Sequence, residues 1–306
     1  MAPTYAHLDR QLVGVDRLQA IIETAFFTAC LKNTVPISTI LVGPPGSGKS
    51  KLILQYQNPS IHQTNDITSQ GLAELVEDDK AGQIRHVVIP DFNIVVSHKA
   101  STTNLTVASL LTLMSEGVLR IDDGRRKKEL LHAPLGICTA MTREIYEEHA
   151  IRFRKLGIGR RFVPVFFGYS PKTREQVQDS IRDGGTTLCQ LEPHPIVLPP
   201  VAAWPIDVPV EEGAAERLRN LSRDMADALS FHPQWEQVKN EKSRSVSWQI
   251  RPFRGSPPIE FTPHMVLRAM AQAHALRDGR NLVSSTDVEF CLDFVQFTNY
   301  SLPVLL

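Results

Sequence analysis

The sequence predicts an α/β fold: a parallel sheet with helices on both faces, followed by a smaller all-helical domain. Short apolar runs rich in β-branched residues alternate with stretches of helical apolar spacing through residue 167, and this alternation is typical of a parallel sheet covered by helices. Six prolines then interrupt residues 191–209, where no regular element can continue. Because 306 residues suffice for two modest domains, we place them at 1–195 and 196–306.

The first domain begins with a predicted helix over 16–31, where apolar residues recur at helical spacing and Asp16 is a candidate N-cap. A buried strand over 35–42 follows, then a glycine-rich turn and a helix that ends near Tyr56. The later elements are predicted as a helix (68–77), a strand (84–89), a helix ending at Gly117 (106–116), a hairpin (117–134), a strand (135–139), a helix (142–154) and a strand (163–167).

The second domain is predicted to contain helices at 211–229, 263–278 and 285–297, with an irregular stretch over 232–258. The apolar tail, 297–306, is expected to form a last strand or helix end that covers these helices.

Composition indicates an ordinary globular protein, with 42% hydrophobic residues and 33 basic residues against 33 acidic ones. Zero net charge argues against a large nonspecific nucleic-acid surface. The four scattered cysteines favour neither a disulfide framework nor a zinc site. No apolar run reaches the roughly 20 residues of a membrane-spanning helix, and the N-terminus lacks a signal-peptide core. We therefore expect a cytoplasmic protein without membrane association.

The segment GPPGSGKS matches the phosphate-loop pattern G-x-x-x-x-G-K-[ST] and stands between a predicted strand and a predicted helix. Its glycines allow the backbone N–H groups to curl around an anion. Lys49 is expected to neutralise the β- and γ-phosphates, and the Ser50 hydroxyl to bind magnesium. The predicted ligands are ATP and Mg²⁺. The predicted contact residues are Gly43, Pro44, Pro45, Gly46, Ser47, Gly48, Lys49, Ser50 and Lys51.

A second motif, HVVIPDFN, reads as a strand that ends on an acid. Asp91 is expected to help hold the magnesium ion, together with Ser50. A hydrolytic enzyme of this kind usually carries a second carboxylate beside that acid to activate water, and here the next residue is Phe92.

Several stretches, in order, resemble segments of AAA+ ATPases, most closely those of the MoxR-like branch. They cover almost the whole chain and include QLVGVDRLQAII, VVIPDFN, VASLLTLMSEGVLRIDDG, APLGICTAMT, LGIGRRFVPVFFGYSPKTREQ and FTPHMVLRAMAQAHALRDGRNLVSSTDVEF. The resemblance implies that Val13 and Gly14 contact the adenine, and that Arg161, with Arg160 beside it, is an arginine finger. It also implies that the second domain is a helical lid.

Two sensor positions of the family depart from its pattern. The polar residue of sensor 1 falls near Met141, where Thr139 or Thr142 could substitute. The sensor 2 arginine falls at His264, and Arg268 follows one helical turn later on the same face. The resemblance thus implies that His264 or Arg268 contacts the bound nucleotide.

These departures predict a slow ATPase. Loss of a general base costs about 10²- to 10⁴-fold in rate, whereas binding through backbone amides and Lys49 is retained. An arginine finger is worth about 10³ to 10⁵ and requires a neighbouring subunit. The expected protein is therefore an ATP-dependent ring, a hexamer, that remodels a protein client directly or through an adaptor.

Two alternatives stay open. The basic run at the predicted hairpin tip could contact DNA or RNA, as in a helicase loader, a transposition regulator or a defence component; it comprises Arg125, Arg126, Lys127 and Lys128. The other alternative is a scaffold that binds nucleotide without hydrolysing it. Arg160 and Arg161 could instead pair with Glu147 or Glu148.

Overall fold

The computed structural model describes residues 15–79, 82–122, 127–182, 194–230, 234–239, 246–251, 263–298 and 304–305. Its strands are β1 (Ser38–Gly43), β2 (Tyr56–Gln57), β3 (Ile61–Gln63), β4 (His86–Ile89), β5 (Val118–Asp122), β6 (Lys127–Leu131), β7 (Gly136–Thr142), β8 (Phe162–Gly168), β9 (His194–Pro195), β10 (Gln234–Lys239), β11 (Val246–Arg251) and β12 (Val304–Leu305). Its α-helices are α1 (Asp16–Phe27), α2 (Lys49–Leu54), α3 (Ser69–Asp78), α4 (Phe92–Ser97), α5 (Ala100–Glu116), α6 (Arg143–Leu156), α7 (Pro171–Arg182), α8 (Glu212–Ser230), α9 (Pro263–Arg277) and α10 (Ser285–Phe297).

A six-stranded sheet of order β12-β8-β1-β7-β4-β3 forms the centre of the molecule. All of its neighbouring strands pair in parallel. The carboxyl ends of the strands therefore lie along one edge, and Gly43 at the end of β1 is level with Thr142 at the end of β7. Ligands of open α/β sheets bind outside this edge.

Helices cover both faces of the sheet, so the predicted α/β class is confirmed. Successive side chains of a strand point to opposite faces. Accordingly Leu41 packs in a core with residues of α1, α9 and α10, and Ile40 and Val42 pack in a second core with residues of α3, α4 and α5. Both faces of β1 are buried throughout, which explains its uninterrupted apolar run.

The region after residue 195 contains α8, α9 and α10, whose bounds agree with the predicted helices. It is not all-helical, however. Strands β10 and β11 pair as an antiparallel hairpin in the stretch predicted to be irregular, where Val246, Trp248 and Ile250 alternate with polar residues as strands do. The tail strand β12 pairs with β8 of the central sheet and so extends the sheet rather than covering the helices.

Other differences are local. Helix α1 begins at Asp16, and Val15 takes the N-cap position that we assigned to Asp16. Gly117 ends α5 as predicted, in the left-handed conformation with φ +65°. Strands β5 and β6 pair as the predicted hairpin. The side chain of His86 lies in the core between β4 and α1, a placement that we did not predict.

Cys30, Cys138 and Cys291 are buried free thiols, and Cys189 lies outside the described residues. Among the helices that the structure describes, none is both long and apolar enough to cross a membrane.

Candidate functional site

The loop Gly43–Ser50 joins β1 to α2 at the carboxyl edge of the sheet. Gly48 has φ +74° in the left-handed region, which a residue with a Cβ atom rarely adopts. Gly43 has ordinary backbone angles, but a Cβ atom there would lie 2.9 Å from the ring of Phe167. The two positions therefore require glycine for different reasons, one conformational and one steric.

Lys49 lies inside this loop. Its ammonium group donates hydrogen bonds to the carbonyl oxygens of Gly43 (3.0 Å) and Pro44 (2.6 Å) and to the Ser47 hydroxyl (3.2 Å). Burial lowers its pKa, and the negative charges of Glu144 and Asp91 act in the opposite direction. The ammonium group is thus held where the loop's backbone can present it to an anion.

Ser50 and Asp91 adjoin each other across the strand ends. The Ser50 hydroxyl donates a 2.9 Å hydrogen bond to the carbonyl oxygen of Pro90, and Asp91 is the next residue. One Asp91 oxygen accepts a 2.9 Å bond from the backbone N–H of Asn93, which caps α4. Mg²⁺ in phosphate-binding sites uses one or two protein oxygens, with phosphate and water completing the shell. Because a hydroxyl and a carboxylate lie at the same edge of the sheet, the two side chains fit that ion.

Among the described residues, no group of three or more His, Cys, Asp or Glu side chains is arranged to hold a metal ion by itself. A metal at the loop would therefore depend on oxygen atoms that the ligand itself supplies.

Phe92, in the position where the second carboxylate was expected, faces the core. Its side chain is fully buried, and its ring centroid lies 5.8 Å from that of Phe162 and 6.2 Å from that of Phe153. The chain after Asp91 turns into α4, so position 92 points between the sheet and α6. A carboxylate with the same orientation would lie in this core instead of at the phosphate loop.

Thr139 makes no contact with the loop. Its hydroxyl donates a 2.6 Å hydrogen bond to the carbonyl oxygen of Ile89 and is fully buried between β7 and β4. Met141 is buried as well. Thr142, half-buried at the end of β7, is the one of the three candidates that is level with Gly43. The structure therefore favours Thr142 over Thr139 as a polar group near the loop.

Arg161, His264 and Arg268 lie together, at the opposite end of the sheet from the loop. They line one cavity of about 670 Å³ with residues that precede β1, such as Pro36 and Ile37. Since β1 has six residues and a strand rises about 3.3 Å per residue, the cavity lies on the order of 20 Å from Gly43. His264 and Arg268 do not meet the phosphate loop of their own chain, in contrast to the expectation from the resemblance.

The direction of α9 explains this arrangement. Arg277, the last residue of α9, donates a 3.0 Å hydrogen bond to the carbonyl oxygen of Ala20 and a 3.3 Å bond to Thr24. Helix α9 consequently runs antiparallel to α1, and its first turn lies beside the segment that leads into β1.

The cavity carries an excess of positive charge. Arg161, Arg268 and Lys32 line it and form no ion pair with a described residue, whereas Asp207 is the one carboxylate among the described lining residues. The Nε atom of Arg161 is buried without a hydrogen-bond partner. A buried guanidinium nitrogen is costly unless an acceptor meets it, so the cavity is suited to an anion.

The pairing of Arg161 with Glu147, considered above, does not occur. Glu147 instead accepts a 2.9 Å hydrogen bond from Arg143. The side chain of Arg160 lies outside the described residues.

Several other predicted positions also lie outside the described residues. They are Val13 and Gly14, assigned to the adenine, and Arg125 and Arg126 of the basic run; Lys127 and Lys128 are described only as backbone of β6. Pro44, Pro45, Gly46 and Ser47 lie in the loop, and Lys51 is half-buried in α2.

Two residues near the loop were missed. The Tyr169 hydroxyl donates a 2.7 Å hydrogen bond to the carbonyl oxygen of Ser47, and burial raises the pKa of this phenol. Glu144 lies in the first turn of α6 and acts electrostatically on Lys49. Tyr169 follows β8 and Glu144 follows β7, the two strands that flank β1. A predicted strand order could have indicated that both residues lie near the loop.

No protein-family model matches the chain, and no curated protein sequence is significantly similar to it.

Proposed function

We propose that this protein binds ATP with Mg²⁺ at the loop Gly43–Ser50 and hydrolyses it slowly, as an ATPase of the AAA+ type related to the MoxR-like branch. One observation carries the proposal: Lys49, Ser50 and Asp91 lie at the carboxyl edge of the parallel sheet, after strands β1 and β4. Backbone amides of a glycine-rich loop, an ammonium group and two hard oxygen ligands are what a nucleotide triphosphate with magnesium requires.

The burial of Phe92 supports slow turnover. Because this position belongs to the core between β4 and α6, its side chain is not placed to orient water at the loop. The same observation favours the second candidate function, a scaffold that binds nucleotide and does not hydrolyse it.

The cationic cavity supports assembly. Arg161, Arg268 and His264 lie too far from Gly43 to serve the nucleotide of their own chain, yet they form an anion-suited surface at the other end of the sheet. We assign this surface to the nucleotide of a neighbouring subunit, which revises the same-chain role of His264 and Arg268. A ring results, with a hexamer as its proposed size and residues 196–306 as a lid.

The biological role is proposed to be ATP-dependent remodelling of a protein client in the cytoplasm, directly or through an adaptor protein. The nucleic-acid alternative depends on the basic run at 125–128 and stays a prediction. It would be supported by nucleic-acid binding that is lost when these four residues are replaced by alanine.

Nucleotide binding is tested with a fluorescent ATP analogue and Mg²⁺. The wild-type protein is expected to bind it, and Lys49→Ala is expected to lose binding by at least about tenfold, because a charge-assisted contact to phosphate is worth about 1.5 to 3 kcal/mol. Lys155→Ala, which removes an exposed lysine of α6, is the matched control. Equal binding by Lys49→Ala and wild type would refute the proposal.

A further inference from the structure

We propose that Glu144 supplies the carboxylate that position 92 lacks and acts as the general base in ATP hydrolysis. This assignment rests on the proposed function of the loop Gly43–Ser50. It gives the slow activity a catalytic residue that follows β7 instead of β4.

The sheet topology brings Glu144 to the loop. Strand β7 lies between β1 and β4, so the residues after it emerge between the phosphate loop and Asp91. Thr142 is level with Gly43 in the register of β1 and β7, and Glu144 follows two residues later in the first turn of α6. Its position is therefore central at the edge where the γ-phosphate would lie.

The Glu144 carboxylate is also available. The residue is exposed and has no hydrogen bond or ion pair to a described residue. The neighbouring Arg143 is engaged with Glu147 through a 2.9 Å contact, so it does not compete for Glu144 through that contact. An unpaired carboxylate can accept a proton from water, whereas one held by an arginine is a weaker base.

Electrostatics agree with this position. Burial is the largest influence on the Lys49 pKa and lowers it; of the charges that oppose this effect, Glu144 acts more strongly than Asp91. Coulomb interactions weaken with distance, so this influence agrees with the position of Glu144 at the same edge of the sheet as the loop.

Other polar groups at this edge are already engaged. The Asn93 side-chain oxygen accepts a 3.0 Å hydrogen bond from the Ser97 hydroxyl along α4. Asp91 caps the same helix through one oxygen. Asn93 and Asp91 thus each accept a hydrogen bond within the chain, whereas Glu144 accepts none from a described residue.

The reaction is a hydrolysis. The water oxygen forms a bond to the γ-phosphorus while the bond from that phosphorus to the β,γ-bridging oxygen breaks, and its electron pair stays on the ADP oxygen. Glu144 takes a proton from the attacking water and releases it to the phosphate product or to solvent. A positioned base of this kind contributes about 10² to 10⁴ in rate.

The test compares Glu144→Gln with Glu148→Gln, an equally exposed glutamate in the same helix. Glu144→Gln is expected to slow hydrolysis by about 10²- to 10⁴-fold. It is also expected to bind the fluorescent ATP analogue at least as tightly as wild type, because one negative charge near the triphosphate is removed. After incubation with ATP and desalting, the variant should retain ATP where wild type retains ADP, and Glu148→Gln should behave as wild type.

Each outcome decides between the two proposals. Hydrolysis by Glu144→Gln at the wild-type rate, with loss in Lys49→Ala, would overturn the role of Glu144 and leave the proposed function intact. Wild-type protein that binds ATP but never hydrolyses it would also overturn this role and favour the scaffold. Wild-type protein that binds no ATP would refute both proposals.

Discussion

The Tyr169 hydroxyl donates a 2.7 Å hydrogen bond to the carbonyl oxygen of Ser47. This bond connects the residue after the β8 end to the middle of the phosphate loop, so the shape of the loop depends on a neighbouring strand as well as on its own glycines.

Tyr169→Phe is predicted to loosen the loop without unfolding the protein. A single neutral hydrogen bond contributes about 0.5 to 1.5 kcal/mol, so affinity for an ATP analogue should fall about two- to tenfold, while the thermal midpoint of the ligand-free protein should change little. Titration of the fluorescent analogue measures the affinity. Unchanged affinity would mean that the loop keeps its shape without Tyr169.

Phe92→Glu is predicted not to accelerate hydrolysis. The new carboxylate would be buried between Phe153 and Phe162, where loss of a buried phenylalanine costs about 3 to 5 kcal/mol and an unpaired charge adds to it. Urea denaturation should show a large loss of stability, with Phe92→Leu as the milder control. A stable Phe92→Glu protein with faster ATP turnover would contradict the proposed placement of the base.

Features that depend on residues close together along the chain could be predicted from the sequence, whereas the packing of distant elements could not. Apolar periodicity predicted α9 and α10 nearly to the residue, and the phosphate-loop pattern predicted the turn between β1 and α2 that carries Lys49 and Ser50, because these features depend on residues close together along the chain. Periodicity does not give the direction in which a helix packs. The hydrogen bond from Arg277 to Ala20 joins residues that are 257 positions apart in the sequence. It holds the last turn of α9 beside α1, and the first turn of α9 therefore lies away from the loop. For the same reason the sequence could not place Glu144 at the same edge of the sheet as Lys49.

Acid is predicted to destabilise the protein through His86. Burial lowers the pKa of this imidazole from 6.5 to about 3, so the folded protein keeps it neutral while the unfolded chain binds a proton below pH 6.5. The stability that neutral His86 contributes is fully present above the pKa of the imidazole in the unfolded chain. It decreases by about 1.4 kcal/mol per pH unit as the pH falls toward the pKa in the folded protein.

Urea unfolding of wild type and His86→Leu at pH 7 and pH 5 tests this effect. The wild type should lose roughly 2 kcal/mol more than the variant over that interval. Parallel losses in the two proteins would show that His86 is not the group that titrates.

Asp287 is predicted to hold the C-terminal helices together. Its buried carboxylate accepts a 2.7 Å hydrogen bond from His274 of α9, two from Arg280, and a 2.8 Å bond from the Ser284 backbone. Desolvation opposes ionisation, but the bonds from His274 and Arg280 hold the Asp287 pKa well below its usual range. Asp287→Ala leaves these donors unpaired and should cost about 3 to 5 kcal/mol.

Chemical denaturation measures the loss, and Asp293→Ala is the control, with an expected loss below about 1 kcal/mol. Asp293 is a half-buried aspartate of the same helix that pairs with Arg17. Equal stability of the two variants would show that the Asp287 network does not stabilise the packing of α9 and α10.

Arg161 is predicted to act on the nucleotide of a neighbouring subunit. At protein concentrations that permit assembly, Arg161→Ala should lower ATP hydrolysis by about 10³-fold or more, whereas affinity for the ATP analogue in dilute protein should not change, because the cavity lies far from Gly43. Arg219→Ala, an exposed arginine of α8, is the control.

Mixing Arg161→Ala with Lys49→Ala gives the sharper result. The first variant provides an intact loop and the second an intact arginine, so activity should recover in the mixture if the two residues meet across subunits. Two variants that stay inactive together, while gel filtration shows that they assemble, would place Arg161 outside the reaction.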